Sequence, residues 1–412
     1  MGSTSDTCVT RRKVFYIPGY DPFPPRRYRE LYRAEGAAQA AISGYTLGVQ
    51  GTTAPGAFGW QVQTHTQGQA TQTDIEVLVW SDIVQDSFHD SILRTYVAMI
   101  RTAWIYISTG GLWRLMRLRK GPVIAALYPV VMLLAQLAAA VAVGAGVGAL
   151  ACAVVWPMAP GWVGLSVAGA CAIGVAVWVL RWCRDRDGRI FAHYLMHDFA
   201  HSASARGGYP PDLRARMDSF ADRVGTALQS DVEEVLVVGH SSGAHLAVSV
   251  LADVVRRGQA NDTHAALGFL SLGQVVPMVA FLPNAQDLRR DLRDLSTCAQ
   301  ITWVDVTAPG DGCTFALCDP VSICGQGTPE KRWPLVISAA FTQTLSPQRW
   351  RALRWRFFRL HFQYLCAFDQ PRDYDYFQIT AGPRTLGARY AGRRPSGSRI
   401  ETVVSRYTDV GA

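Results

Sequence analysis

The segment 239–243 carries the clearest chemistry in this sequence. It lies between an apolar run at 232–238, which predicts a strand, and a stretch of small residues that begins a predicted helix at 244–257. A strand that turns directly into a helix holds a serine in a strained conformation, and glycines two residues to either side remove Cβ atoms that would collide with the sheet and the helix. The pattern predicts Ser241 as a nucleophile; the alternative is a glycine-rich turn with an idle serine. The five residues are Gly239, His240, Ser241, Ser242 and Gly243.

A serine hydroxyl is a weak nucleophile, so it needs a general base, and the base needs an orienting acid. The histidines that follow the predicted helix are His264 and His361. Two carboxylates belong to a predicted strand at 301–306 and the loop after it. Asp305 lies inside that strand, whereas Asp311 lies beyond its carboxyl end, where catalytic groups gather in open α/β sheets. This position favours Asp311, with Asp305 as the alternative acid and Asp319 as a third candidate.

The elements around these residues alternate between strand and helix. This order predicts an α/β fold: a mainly parallel sheet with helices on both faces. The predicted strands are 13–20, 60–66, 74–84, 232–238, 267–272 and 301–306. The predicted helices are 26–41, 87–120, 189–229 with a break at 207–211, 244–257 and 287–295.

The layout resembles the α/β-hydrolase superfamily of esterases, lipases and acyl hydrolases, over residues 13–110 and 190–382. The family's chain order of serine, acid and histidine implies that His361 is the base, because it alone follows the acid candidates. The resemblance also implies an oxyanion hole from the backbone N–H groups of Tyr20 and Ser242. The family often has His-Gly in the loop before Tyr20, where this chain has Pro18-Gly19.

An apolar stretch interrupts this layout. Residues 121–180 contain no charged side chain and no histidine, and a tight turn with two prolines and a glycine divides them at 156–162. The first arm would be roughly 54 Å long as a helix, against about 30 Å of bilayer hydrocarbon. We therefore predict a transmembrane helical hairpin with spans at about 128–156 and 162–180. The alternatives are a third span or a buried hairpin in a soluble core.

Charge predicts how this hairpin is oriented. Arginines and one lysine flank both ends of the stretch, so both ends and both termini are expected in the cytoplasm. The chain has a net charge of +8, and a basic face beside anionic lipid explains this charge without nucleic acid. The alanine- and arginine-rich composition is typical of bacterial proteins and predicts an integral protein of the bacterial cytoplasmic membrane.

Two further groups of residues have side chains that can bind metal. His193, His197 and His201 recur every four residues on one predicted helix, and nine cysteines include no CxxC pair. The histidines suit a polar stripe better than a metal site, because histidine-rich membrane oxidases use several boxes with adjacent pairs. No metal and no other cofactor is expected.

These inferences predict five segments. Residues 1–12 form a tail, 13–120 and 181–382 form the two parts of the hydrolase domain, 121–180 form the hairpin, and 383–412 form a loose tail rich in arginine, glycine and serine. The expected function is hydrolysis of an ester or thioester of a lipid or another acylated amphiphile, at the bilayer. Two alternatives stay open: an acyltransferase that uses the same triad, and a catalytically silent membrane scaffold. The oligomeric state does not follow from the sequence.

Overall fold

The computed structural model describes residues 8–21, 24–51, 58–80, 82–83, 91–157 and 160–411. The chain divides into two compact units. The first comprises residues 1–86, 107–122 and 205–412, and the second comprises residues 87–106 and 123–204.

The first unit is built on one sheet of eight strands, in the order β2-β3-β4-β1-β5-β6-β7-β8. The six strands from β4 to β8 in this order are parallel to one another, whereas β3 pairs antiparallel with both β2 and β4. The predicted mixed α/β fold with a mainly parallel sheet is therefore confirmed. The strands are β1 Arg11–Ile17, β2 Thr46–Gly51, β3 Phe58–Thr66, β4 Gln69–Val77, β5 Glu234–His240, β6 Ala266–Leu272, β7 Ile301–Thr307 and β8 Leu335–Ser338.

Burial explains why the central strands form. Every residue of β5 is buried, and its residues 235–238 form the continuous apolar run that is typical of a parallel strand covered on both faces. On one face Leu236 and Val238 join a core that also contains Tyr28 and Tyr32. At the antiparallel edge no residue of β2 is buried, whereas residues 62–65 of β3 alternate between buried and exposed, as expected for a strand with one solvated face.

Helices cover this sheet. In chain order they are α1 Arg26–Ser43, α3 Gly111–Leu118, α7 Pro211–Leu228, α8 Gly243–Arg256, α9 Val276–Ala280, α10 Gln286–Thr297, α11 Phe341–Thr344, α12 Pro347–Leu353, α13 Phe357–His361, α14 Tyr376–Ala381 and α15 Leu386–Arg389. Helix α8 packs between α7 and α10, and its first twelve residues are all buried. This burial fixes the start of α8 directly beneath the carboxyl end of β5.

The last thirty residues depart from the expectation of a loose tail. Backbone hydrogen bonds tie them to the first unit: Ser396 N–H donates to Val336 O at 2.8 Å, and Ile400 N–H donates to Leu317 O at 2.7 Å. The buried Arg289 also donates to the backbone and side chain of Asp409. Composition alone misleads here, because these polar residues are held through backbone and charged groups rather than through an apolar face.

The second unit is helical. It consists of most of α2 Ile92–Ser108, α4 Lys120–Val155 from residue 123 onward, α5 Gly161–Asp185 and α6 Ala192–Ala203. Helices α4 and α5 are long and apolar enough to cross a membrane, by length and composition. The turn between them includes residues 158–159, which lie outside the described residues. The predicted pair of apolar helices is therefore present.

Small residues let α4 and α5 approach each other closely. A Cβ added to Gly144 would lie 2.5 Å from Ala172 O, and one added to Gly148 would lie 2.8 Å from Ala168 O. Close backbone approach at small residues is a common way for helices to associate in lipid, where hydrophobic burial adds little. The other end of this unit has an apolar cluster that includes Met99, Leu133 and Met196.

Candidate active site

Ser241 lies at the turn between β5 and α8. Its φ is 56°, in the left-handed region that non-glycine residues rarely adopt. The Ser241 N–H donates to Leu272 O at 2.9 Å, which anchors the turn to the end of the neighbouring strand β6. Strain of this kind persists only where surrounding structure holds it, and it concentrates at functional sites. The sharp strand-to-helix turn predicted for Ser241 is therefore observed.

The glycines around Ser241 are required by close packing. A Cβ on Gly243 would lie 2.2 Å from Ile17 O, and one on Gly239 would lie 2.8 Å from Gly243 O. Real Cβ atoms do not approach backbone so closely, so both positions exclude any side chain. The α8 backbone consequently lies against the end of β1, with Ser241 at the carboxyl edge of the sheet.

His361 and Asp311 form a buried pair. The His361 Nδ1 lies 2.8 Å from Asp311 Oδ2, and the Cys313 N–H donates to Asp311 Oδ1 at 2.9 Å. Asp311 lies on the loop after β7, and His361 is the last residue of α13. Because a carboxylate only accepts hydrogen bonds, the histidine Nδ1 carries the proton and its Nε2 is left as the basic nitrogen.

Several contacts bring His361 beside Ser241. The His240 Nε2 donates to the backbone carbonyl of His361 at 3.1 Å, and the two imidazole rings are 4.8 Å apart. A Cβ on Gly273, which follows the residue that anchors Ser241, would lie 3.1 Å from His361 Cε1. These contacts through His240 and Gly273 place His361, and with it Asp311, at the carboxyl edge of the sheet, where Ser241 also lies.

His240 has a role that the sequence did not reveal. Burial, and then the charge of the nearby His361, lower the pKa of His240 to about 3, so it is neutral at physiological pH. A neutral imidazole can donate from Nε2 to the His361 carbonyl without placing a second positive charge beside the candidate base. A histidine next to a candidate nucleophile gives no sequence signal for this positioning.

The other acid and base candidates lie elsewhere. Asp305 is fully buried inside β7 and accepts from the Ser271 hydroxyl at 2.6 Å. Asp319 is paired with Lys331 and accepts from the Val321 and Ser322 N–H groups. His264 is exposed just before β6, at the sheet edge opposite to Ser241. Among the acid candidates, Asp311 is the one that contacts His361.

Asp305 is expected to make stability depend on pH. Burial raises the pKa of its carboxyl group to about 8, so the folded chain keeps this proton while the unfolded chain releases it above about pH 4. The contribution to stability is therefore highest in acid and is lost between about pH 4 and pH 8. Relative to the native chain in detergent, Asp305→Asn should gain melting temperature steadily across this range. A difference in melting temperature that is constant with pH would contradict this expectation.

The candidate oxyanion donors lie beside Ser241. Gly19 is so close that an added Cβ would lie 3.4 Å from Ser241 Oγ. The loop that includes Tyr20 is held by Trp80, whose Nε1 donates to Pro18 O at 3.0 Å and whose ring packs edge-on against Tyr20. Ser242 directly precedes α8, and the first N–H groups of a helix have no partner within that helix. The loop that precedes Tyr20 thus passes the serine hydroxyl, and Ser242 follows the serine at the start of α8.

The residues around His361 are also close enough together to bind a metal ion. Ligand atoms of Asp311, Cys313 and His361 lie within 4.8 Å of one another. A metal at this point would compete for the His361 Nδ1 that already bonds to Asp311. The hydrogen bond between His361 and Asp311 accounts for the position of both side chains without an ion.

The predicted histidine stripe lies in the second unit. His193 and His197 are buried in α6, and His197 Nε2 lies 3.5 Å from the Thr95 hydroxyl.

Comparison with known proteins found no matching family model, no matching curated protein and no matching solved structure. The assignment of a mixed α/β fold therefore depends on the strand order and pairing of the sheet alone.

Proposed function

We propose that this chain is a membrane-anchored serine hydrolase of the α/β-hydrolase type that cleaves an ester or thioester. The observation that supports this most is the left-handed Ser241 on its strand-to-helix turn, with the His361–Asp311 pair beside it. A serine with a φ of 56° on a strand-to-helix turn, with glycines two residues to either side, is the local geometry that a nucleophile of this type requires.

In the proposed reaction, Ser241 Oγ attacks the carbonyl carbon of the substrate while His361 Nε2 takes the hydroxyl proton. Asp311 holds the imidazole and stabilises its positive charge. The N–H groups of Tyr20 and Ser242 stabilise the oxyanion. The alcohol or thiol leaves with the proton from His361, and water then releases the acid from the acyl-enzyme by the same steps.

A fluorophosphonate tests this proposal directly, because it phosphonylates serines that are activated in this way. Ser241 should gain the phosphonyl mass, detected on the proteolytic peptide that contains it. If another acyl acceptor replaces water, products of acyl transfer appear when an alcohol is added to the assay. A chain that resists modification and binds acylated lipid without turnover would support the silent scaffold instead.

We also propose that α4 and α5 cross the bacterial cytoplasmic membrane as a hairpin, with the start of α4, the end of α5 and both chain termini in the cytoplasm. The sheet supports an even number of crossings: β1 and β5 are adjacent, yet they precede and follow the two helices. One sheet cannot be assembled from strands on opposite sides of a bilayer. Location at the membrane makes a lipid or another acylated amphiphile the proposed substrate.

Maleimide labelling of intact cells should reveal this topology. Ala159→Cys, between the two helices in sequence, should raise labelling by an impermeant maleimide above that of the native chain. Ser396→Cys and the exposed native Cys8 should react only after lysis. Labelling of Ser396→Cys in intact cells, or equal labelling of the Ala159→Cys and native chains, would contradict a two-span hairpin with a cytoplasmic sheet.

A further inference from the structure

A short segment of the first unit exposes aromatic and basic side chains together. It comprises residues 351–359: the end of α12, the turn that follows it and the first residues of α13, the helix that ends at His361. Trp355 is 72% exposed and Phe357 is 50% exposed, although most aromatic residues of this unit are buried. We call this the basic aromatic surface, and it consists of the exposed residues Arg351, Arg354, Trp355, Arg356, Phe357 and Arg359.

The charges of this surface are not neutralised by the protein. Within the described part of the chain, none of its four arginines forms an ion pair, whereas the nearby Arg349 pairs with Glu35 and Asp369. The Arg354 guanidinium lies 5.5 Å from the centre of the Trp355 ring. Four uncompensated positive charges beside two exposed rings form a surface that is both basic and apolar, and such surfaces mark interaction sites.

We propose that the basic aromatic surface docks on the surface of an anionic lipid bilayer. Indole and phenyl rings partition into the boundary between headgroups and acyl chains, and arginine side chains bind lipid phosphates. The surface is a turn between two short helices that projects its rings outward, which suits insertion into an interface. Two helices of the same chain are long and apolar enough to cross a membrane, so we expect a bilayer to be available to this surface.

The continuity of α13 gives this docking a consequence for the site. His361 is the last residue of the helix that begins with Phe357. A bilayer bound at the basic aromatic surface therefore lies a few residues from the His361–Asp311 pair. Docking depends only on the exposed rings and charges, and it would hold whatever chemistry Ser241 performs.

Photocrosslinking of the full chain in nanodiscs tests the proposal. Benzoylphenylalanine replaces Trp355 in one variant and Asp231 in a control, because the exposed Asp231 lies at the opposite, amino-terminal edge of the sheet. In nanodiscs of phosphatidylglycerol and phosphatidylcholine, the probe at 355 should form lipid adducts and the probe at 231 should not. Replacing Arg351, Arg354, Arg356 and Arg359 with glutamine should lower the adducts at 355 at least about fivefold, as should pure phosphatidylcholine.

Two controls separate docking from misfolding. Replacing the same four arginines with lysine keeps the charge and should keep the adducts, and equal melting temperatures should show that the glutamine variant is folded. Equal yields of lipid adducts at positions 355 and 231 would overturn the proposal. So would a yield at 355 that changes neither when the arginines are replaced with glutamine nor when the anionic lipid is removed. Adducts from position 355 to added RNA in place of lipid would overturn it in favour of a nucleic-acid surface.

Discussion

Replacing Ser241 with alanine is expected to abolish modification by a fluorophosphonate and to lower ester hydrolysis by at least about 10⁴-fold. The substitution removes only the side-chain hydroxyl group. Alanine adopts a φ of 56° at about the same cost as serine, so the turn and its neighbours should keep their places. The measurements are the mass of the probe-treated protein and the initial rate of ester cleavage, both on the full chain in detergent.

The matched control is Ser230→Ala, an exposed serine of the same unit at the amino edge of the sheet. It should be labelled as fast as the native chain. An alanine variant at 241 that melts at the native temperature and still takes up the probe would remove Ser241 as the nucleophile. Such a result would leave its strained backbone without an explanation in catalysis.

Asp311→Asn is expected to lower the rate of acylation by about 10³–10⁴-fold while leaving the fold intact. The asparagine amide can turn its NH₂ group toward His361 Nδ1, which then accepts a hydrogen bond. The proton of the neutral imidazole moves to Nε2, so this nitrogen can no longer take the proton of Ser241. Burst kinetics with a chromogenic ester measure the acylation step directly.

Asp305→Asn provides the comparison within the same strand and loop. This carboxyl group bonds to Ser271, and burial raises its pKa to about 8, so it is largely protonated at pH 7. An amide is a close substitute for a neutral acid, and acylation should stay within about threefold of the native rate. A larger loss from Asp305→Asn than from Asp311→Asn would assign the orienting acid to the strand.

Local sequence determines some parts of this fold strongly. The run at 232–238 is apolar enough to form a buried strand, and the glycines at 239 and 243 allow the chain to turn without a clash. The two long apolar helices likewise depend only on local composition. These features could be predicted because the residues that determine them lie within a few positions of one another.

Other elements depend on neighbours that are distant in sequence. Strand β2 is half exposed and contains two glycines, and β8 has four residues, so neither has a clear pattern. The apolar run predicts a strand at 74–84, but β4 spans Gln69–Val77, because polar residues at its start pair with β3 at an exposed edge. Partners across the sheet, rather than the strands' own residues, decide these boundaries.

The candidate site was predictable to a similar extent. The glycine pattern between a strand and a helix predicts Ser241 as the nucleophile. The chain order that the family resemblance implies predicts His361 as the base. The choice between Asp311 and Asp305 depends on where the loop after β7 folds back against α13, which short-range patterns do not encode. The hydrogen bond from His240 to the His361 carbonyl depends on the same long-range contact.

The order of strands in the sheet has a consequence for synthesis of the chain. Strand β1 pairs with β4 early, but its other edge waits for β5, and the buried Arg12–Glu234 contact joins residues 222 positions apart. A ribosome adds about 5–20 residues per second, so this edge stays open for roughly 10–45 s. Unpaired strand edges readily pair with other chains. The nascent protein is therefore most exposed to aggregation while its two long apolar helices are being made, and arrival of β5 closes the edge.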